Sequence, residues 1–315
     1  VANLVGRLQI ERGLTAMFLG TNKTSAKVFR RLSSARRVTD EYTVLLQSWT
    51  PLYLPDSKVP LDTRDALRSY ITEYRVEVAV TDITVEYNVK FYTEINMAFL
   101  DSIAETITFP GQDKLLVAFN SLLRAADAAG IQRALGATFY SSCSFSKYSL
   151  AWFSQLEAAT ASYMQELFKY HAPSRTRHFT SLAELAPLDE VLKNTKAEML
   201  DKNYKPECMK ISASTRVEMG IWWFANMTVY INHLAKVRNE LISDIQVGFT
   251  STIRNAQRSS ILYSAIMGCV IIASIVTLFF INSMTGRMQD YAANVQEKSE
   301  LLIQEKQMTE GLLYQ

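Results

Sequence analysis

Apolar residues recur along most of the chain at three- and four-residue spacing, and short turn clusters interrupt them, which is the pattern of packed α-helices. Residues 1 to 20 predict a first helix, stopped at Gly20-Thr-Asn. Ser25 to Trp49 predict a second, ended before Pro51, Pro55 and Pro60. A third starts near Leu61-Asp62, and a fourth runs from Val85 to Phe109 and stops at Pro110-Gly111. The second half repeats this scheme, with helices at Gln112 to Phe139, Lys147 to His171, Leu188 to Asp201 and from Ser214 onward. Thr81-Asp-Ile-Thr-Val and Phe179 have strand-forming residue types but are too isolated to make a sheet. The expected fold is all-α, two four-helix bundles with halves near 1–110 and 111–258.

The pattern changes at Ser259. No charged residue occurs from there to Gly286, and Ile261 to Ile281 is nearly all apolar, long enough to cross roughly 30 Å of hydrocarbon. Residues 259–286 are therefore read as a transmembrane helix in contact with the lipid bilayer. No proline interrupts Ser214 to the membrane, so the last helix of the second bundle is expected to continue into the span. Beyond it, 287–315 is a charged amphipathic stretch with Val295, Leu301, Leu302, Met308, Leu312 and Leu313 on its apolar side, suited to a parallel coiled coil in a homodimer. Arg254 and Arg258 before the span nearly balance Arg287 and Lys298 after it, so charge alone leaves the orientation open. Both N-x-Thr acceptors, Asn22 and Asn226, precede the span, as do Cys143 and Cys208. On these grounds residues 1–258 are placed outside the cell, 287–315 in the cytosol, and the protein at the plasma membrane. Cys143 and Cys208 either form a disulfide in an oxidising compartment or remain two buried thiols.

Composition narrows the function classes. The chain has 315 residues, 48% hydrophobic, with 33 basic against 31 acidic residues, a balance that lacks the basic excess needed to neutralise many phosphates. Nucleic acid is thus not expected as a partner. The three histidines, His171, His178 and His233, lack metal-ligand spacing, and no nucleophile elbow, zinc motif or phosphate-binding glycine loop is present. The fragment is expected to hold no catalytic residue, metal or cofactor. Trp222-Trp223-Phe224 and the Tyr and Phe residues between Tyr70 and Phe99 are assigned to core packing.

The chemically suggestive feature is an internal repeat. Ile10-Glu-Arg12-Gly-Leu14-Thr-Ala16-Met-Phe18 matches Ile131-Gln-Arg133-Ala-Leu135-Gly-Ala137-Thr-Phe139 in register, with one arginine at the same place in each. Arg12 is flanked on its helix by Val5, Leu8, Ala16 and Leu19, and Arg133 by Ala129, Gly130, Gly136 and Ala137, small residues expected to leave open volume beside the guanidinium. A buried guanidinium costs several kcal/mol unless an anion neutralises it. Two readings follow. The partner is a carboxylate, with Glu11, Asp40, Glu94 or Asp127 as candidates, or it is a diffusible planar oxyanion held by the guanidinium fork.

At these residues the sequence resembles the nitrate- and nitrite-sensing domain family of signalling receptors. The resemblance rests on Glu11-Arg12-Gly13-x-Thr15-Ala16-x-Phe18-Leu19-Gly20, Arg36-x-x-Thr39-Asp40, Tyr92-Thr-x-Ile95-Asn96-x-x-x-Leu100, Ala129-Gly130-Ile131-Gln132-Arg133-Ala134, and Trp223 with Thr228, Ile231, Leu234 and Leu241. It implies two four-helix bundles and a nitrate or nitrite site lined by arginines, carried over here to Arg12, Arg36 and Arg133. A further arginine on the last helix falls on Arg216 or Arg238, and Gln132 stands where the family more often has Glu. The end, Glu305 to Gln315 with Leu-Leu-Tyr-Gln, resembles the helical linker that enters the catalytic module of receptor guanylate cyclases, which implies cGMP production by a downstream domain. The competing reading is a helical dimerisation or protein-interaction ectodomain whose arginines are sealed in internal ion pairs. A sensor for an amino acid or another carboxylate is a third.

Overall fold

A computed structural model describes residues 1–105, 113–201 and 204–313. The expected helix ends and turn at Phe109 to Gln112, and Tyr314 and Gln315 of the linker motif, lie outside them. The described residues form α1 (Ala2–Gly20), α2 (Ala26–Val44), α3 (Arg64–Val80), α4 (Val85–Glu105), α5 (Asp113–Ser142), α6 (Lys147–Tyr170), α7 (Ala172–Ala183), α8 (Ala186–Leu200), α9 (Tyr204–Met209) and α10 (Ala213–Leu313), plus a hairpin of β1 (Leu52–Leu54) and β2 (Val59–Leu61). The fold is all-α apart from that hairpin.

Local chemistry sets several boundaries. Ser25, Thr63 and Ser146 cap α2, α3 and α6, each hydroxyl accepting a hydrogen bond from a first-turn amide, that of Val28, Ala66 or Ser149. The second helix ends at Val44, five residues short of Trp49, because Arg64 Nη1 donates to the carbonyls of Val44 and Leu46, each at 3.0 Å, and satisfies acceptors the helix would otherwise use itself. The residues thus released carry the hairpin, which was not expected among three prolines. Leu52, Leu54 and Leu61 point inward while Tyr53 and Pro60 pair outside, so Pro60 removes no buried ladder bond. Helix α7 was also not expected; Pro173 sits in its first turn, where a missing N–H costs nothing, and Pro187 does the same for α8.

Residues Val1 to Gly248 form one compact unit and Phe249 to Gln315 a second. The first has two clusters of buried apolar side chains. One joins Leu4 and Leu8 of α1 to the hairpin leucines, to Leu67, Ile71 and Tyr74 of α3, and to Tyr92, Ile95 and Phe99 of α4. The other joins Leu14 and Met17 of α1 to Val28 and Leu32 of α2, Leu135 and Phe139 of α5, Phe153 of α6, Leu192 of α8, and Trp223 and Met227 of α10. Helix α1 therefore contributes to both clusters and packs on α5 across the expected division near residue 110. Each fully buried leucine contributes about 1.5–3 kcal/mol, so α1 is a main support of the unit. Within the second unit, Ile261, Leu262, Ile271, Ile272, Leu278 and Phe279 are all exposed. By length and composition one helix among the described residues is sufficient to cross a membrane.

Cys143 and Cys208 form a disulfide that joins the end of α5 to α9 across 65 residues of sequence. Closing a loop of this length restricts the unfolded chain, so Cys143→Ser is expected to lower stability by about 2–5 kcal/mol in urea unfolding without reductant.

The three histidines lie along the contact between α7 and α10. His233 Nε2 and His178 Nδ1 are 3.0 Å apart, Ser181 Oγ is 3.0 Å from His233 Nδ1, and His171 pairs with Ser174 at 2.8 Å. Beside them Arg177 holds Asp244 and lies 3.6 Å from Glu240, while His171 Nε2 is 3.5 Å from Asp244. Burial, and then the facing His233, push His178 down from 6.5 to about 4. The unfolded chain takes up a proton near pH 6.5 that the folded chain refuses until about pH 4. Stability is therefore full above that window and falls as pH drops through it. Urea midpoints measured from pH 8 to 4 are expected to show this loss, and a flatter profile in His178→Leu.

Candidate functional site

Arg12 and Arg133 are brought together at the contact of α1 with α5, and both side chains are fully buried. They differ in what neutralises them. Arg12 Nη2 lies 3.1 Å from Asp127 Oδ1 and also donates to the Asp127 carbonyl at 3.2 Å, while Nη1 donates to Thr93 Oγ1 at 2.9 Å. Asp127 Oδ1 further accepts from Gln9 Nε2 and Asn96 Nδ2, each at 3.1 Å. Of the four candidate carboxylates, Asp127 is thus the partner of Arg12. Gly130 makes room for this pair, since a Cβ there would lie 2.8 Å from Arg12 Nη2.

Among the described residues Arg133 has no carboxylate in ion-pair contact. Its Nη1 donates to Thr228 Oγ1 of α10 at 3.0 Å, and its guanidinium lies 4.6 Å from the centre of the Phe224 ring, a cation–π contact. Its Nε and Nη2 are buried without a hydrogen-bond partner. Burial, then the charge of Arg12, push this guanidinium down to about 9, with Asp127 opposing the shift, so it stays cationic at neutral pH. Nε and Nη2 form the side edge of the guanidinium, and the molecule shows what that edge does when occupied. Arg75 of α3 uses the same two nitrogens to hold both oxygens of buried Glu11, at 2.7 and 2.9 Å. In Arg133 the equivalent two nitrogens have no such partner.

A cavity of about 220 Å³ lies beside Arg133, far more than one water needs, lined by residues of α1, α5 and α10 with Tyr42 of α2. Its polar lining includes Gln9, Thr228, Arg7 and Arg238, and no carboxylate among the described residues. Arg7 stacks 4.7 Å over Tyr42, and Arg238 Nη2 is 3.4 Å from Asn3 Oδ1. Of the two arginines considered on α10, Arg238 lines this cavity, while Arg216 points at the sulfurs of Cys143 and Met209.

The remaining expectations are placed as follows. Arg36 lies 3.8 Å from Glu11, within a group where Arg75 also reaches Asp40 at 2.8 Å and Tyr92 donates to Glu11 at 2.8 Å, so it does not line the cavity. Burial pulls Arg75 down, but its bonds and charge contact with Glu11 and Asp40 outweigh that and leave it above the ordinary arginine value. Glu94 bonds Ser57 at the surface. The small residues around Arg133 do not supply the open volume: the Gly130 position is occupied by the Arg12 guanidinium, and at Gly136 a Cβ would lie 2.4 Å from the indole nitrogen of Trp223. The cavity lies instead along Leu122, Leu123 and Ala126. Gln132 donates to Glu157 of α6 at 2.9 Å, away from the cavity. Asn22 is exposed in the turn after α1, and Asn226 is half-buried in α10 with its amide bonded to the Trp222 carbonyl. Thr228, Phe224 and Gln9 were missed as site residues; a hydroxyl on an apolar helix face, as at Thr228, was the one available signal.

The family model described as nitrate and nitrite sensing matches residues 3–246, which include Arg12, Asp127, Arg133, Thr228 and Arg238. The chain belongs to that family. Comparison with curated proteins and with solved structures gives no significant match. For this nitrate- and nitrite-sensing chain the two arginines are expected to separate by stability. Arg12→Met strands the buried Asp127 carboxylate and is expected to cost about 3–5 kcal/mol, whereas Arg133→Met removes a charge that has no carboxylate partner and is expected to leave stability unchanged or raised in the absence of anion. Urea unfolding of the two variants in low-salt buffer checks the contrast.

Proposed function

We propose that this chain is the oxyanion-sensing and signalling region of a membrane receptor. In this reading nitrate or nitrite is held on the Nε and Nη2 edge of Arg133, with Arg12 supplying a second charge and Arg238 and Arg7 at the mouth of the cavity. The observation that supports it is a buried guanidinium whose Nε and Nη2 are unpartnered, beside a cavity that no carboxylate among the described residues lines. Leaving such groups buried costs about 1–3 kcal/mol each, more when charged, and an incoming oxyanion would recover that cost.

Residues 1–258 would be extracellular, in keeping with the disulfide of Cys143 and Cys208 and the acceptors at Asn22 and Asn226. Residues 259–286 would cross the plasma membrane, and 287–315 would form the cytosolic coiled coil of a homodimer leading to a guanylate cyclase that makes cGMP. Because α1, α5 and α10 all line the cavity, an anion drawing them together acts directly on the helix that precedes the span. Only differential affinity between two arrangements would make this a signal.

Thermal unfolding of the purified chain in nitrate, nitrite, chloride and acetate at constant ionic strength tests the reading. Nitrate or nitrite is expected to raise the melting temperature, with stabilisation of about 2.7 kcal/mol at one hundred times Kd, and Arg133→Met is expected to lose the effect. A rise with acetate alone would assign the site to carboxylates. The sealed pairs of Arg12 with Asp127 and of Arg36 and Arg75 with Glu11 favour the second reading, a dimerisation or protein-interaction ectodomain. No response to any anion would remove the oxyanion reading and make that alternative the better one.

A further inference from the structure

Asp127 occupies an unusual position. It lies six residues before Arg133 on α5, it is the one carboxylate among the described residues in ion-pair contact with Arg12, and its charge is felt by Arg133 as well. It is also tied to the cavity wall: Gln9, which lines the cavity, donates to the same Oδ1 that faces Arg12. The buried groups at this point therefore number two guanidinium cations and one carboxylate, a net charge of +1. The neighbouring group is balanced separately, with Arg75 and Arg36 against Glu11 and Asp40. Arg7 and Arg238 also line the cavity but are partly exposed, and burial holds Arg238 below the ordinary arginine value, so neither belongs to the fully buried group.

In a buried site uncompensated charge of either sign is costly. One monovalent anion brings Arg12, Asp127 and Arg133 to neutrality, and a divalent anion leaves an excess negative charge. We infer that Asp127 is the specificity-determining residue of this site and sets the valence of the anion, admitting monovalent oxyanions and rejecting sulfate and hydrogen phosphate. Asp127 does so without touching the ligand, as the resident negative charge that consumes one of the two arginines. This rests on the anion-sensor reading above and adds a charge rule to it.

The rule makes a reversal available. Asp127→Asn keeps the shape and the bonds to Gln9 and Asn96 within reach but leaves two cations, so the site should now accept a divalent anion. Arg12→Met leaves Arg133 against Asp127, net zero, and should bind neither. The double variant Arg12→Met with Asp127→Asn restores +1 on Arg133 alone and should recover nitrate. The double variant removes both members of the buried pair and strands neither charge, so it is suited to measurement even where Arg12→Met or Asp127→Asn, each of which leaves one buried charge without its partner, folds poorly.

The experiment is thermal unfolding and isothermal titration of the full chain in detergent with sodium nitrate and with sodium sulfate at matched ionic strength, each referred to Arg133→Met to remove the general stabilisation that sulfate gives any folded protein. The unsubstituted chain is expected to prefer nitrate. Asp127→Asn is expected to move the nitrate-to-sulfate ratio of affinities toward sulfate by about tenfold or more, the scale of one unit charge acting over several ångströms at an effective dielectric constant near 20. If nitrate binds the unsubstituted chain and the ratio is the same in Asp127→Asn, the residue merely positions Arg12 and the valence rule is overturned while the sensor stands. Failure of the double variant to recover nitrate overturns it too, because Arg12 is then a direct ligand. If no anion binds the unsubstituted chain, the sensor reading fails and the rule with it.

Discussion

Burial of two arginines against a single carboxylate is the constraint on which the rest of this molecule turns. Apolar helices α1 and α5 press Arg12 and Arg133 out of water together, and Asp127 neutralises one of them. Arg12 has a carboxylate, a carbonyl and a threonine hydroxyl on its terminal nitrogens, with only its Nε unpartnered. Arg133 is left with a threonine, an aromatic face and a free fork. Such an arrangement leaves one buried charge without a carboxylate of its own, which is costly for the fold and is the feature on which the proposed anion site rests.

The fold is organised around the same place. Helix α1 gives Leu4, Val5, Leu8 and Leu19 to the cluster with the hairpin, α3 and α4, and Leu14, Ala16 and Met17 to the cluster with α2, α5, α6, α8 and α10. Arg12 lies between Leu8 and Leu14 on the same helix, where α1, α4 and α5 converge on Thr93 and Asp127. Close approach at that point depends on missing side chains: Gly130 admits the guanidinium, and Gly13 admits the Phe224 ring, where a Cβ would sit 2.6 Å from its edge. Phe224 in turn carries Arg133, so a glycine on α1, a ring on α10 and a cation on α5 are packed as one stack.

Much of the helical layout was legible because helices bury one face at a period the sequence displays directly, and caps such as Ser25 and Ser146 mark where a backbone runs out of its own partners. The hairpin was hidden because three prolines look like a loop when the alternation of Leu52, Leu54, Val59 and Leu61 spans only three residues on each strand. Helix α7 was hidden because a proline near its start looks like a break. At the site, the matched positions of Arg12 and Arg133 made them candidates, and the same repeat concealed how different their surroundings are. Small residues beside Arg133 suggested a void, yet Arg12 and Trp223 fill those places, and the void lies along the other stripe of α5.

The sequence by itself determined an all-α chain with one segment apolar enough for a membrane, a near-neutral charge balance, membership in a nitrate- and nitrite-sensing family through residues spread over its first 241 positions, and two arginines on greasy helix faces. These follow from periodicity, composition and local spacing, which are properties of neighbours in the chain. Only the tertiary structure decided that Asp127 answers Arg12, that Arg75 and Arg36 answer Glu11, that Arg238 and not Arg216 reaches the cavity, and that Arg133 is left with an open fork. The ion pairs among these span 25 to 115 residues of sequence, 36 with 11 at the near end and 12 with 127 at the far end. A charge finds its partner through space, and the order of residues along a helix states which face it occupies but never which face it meets.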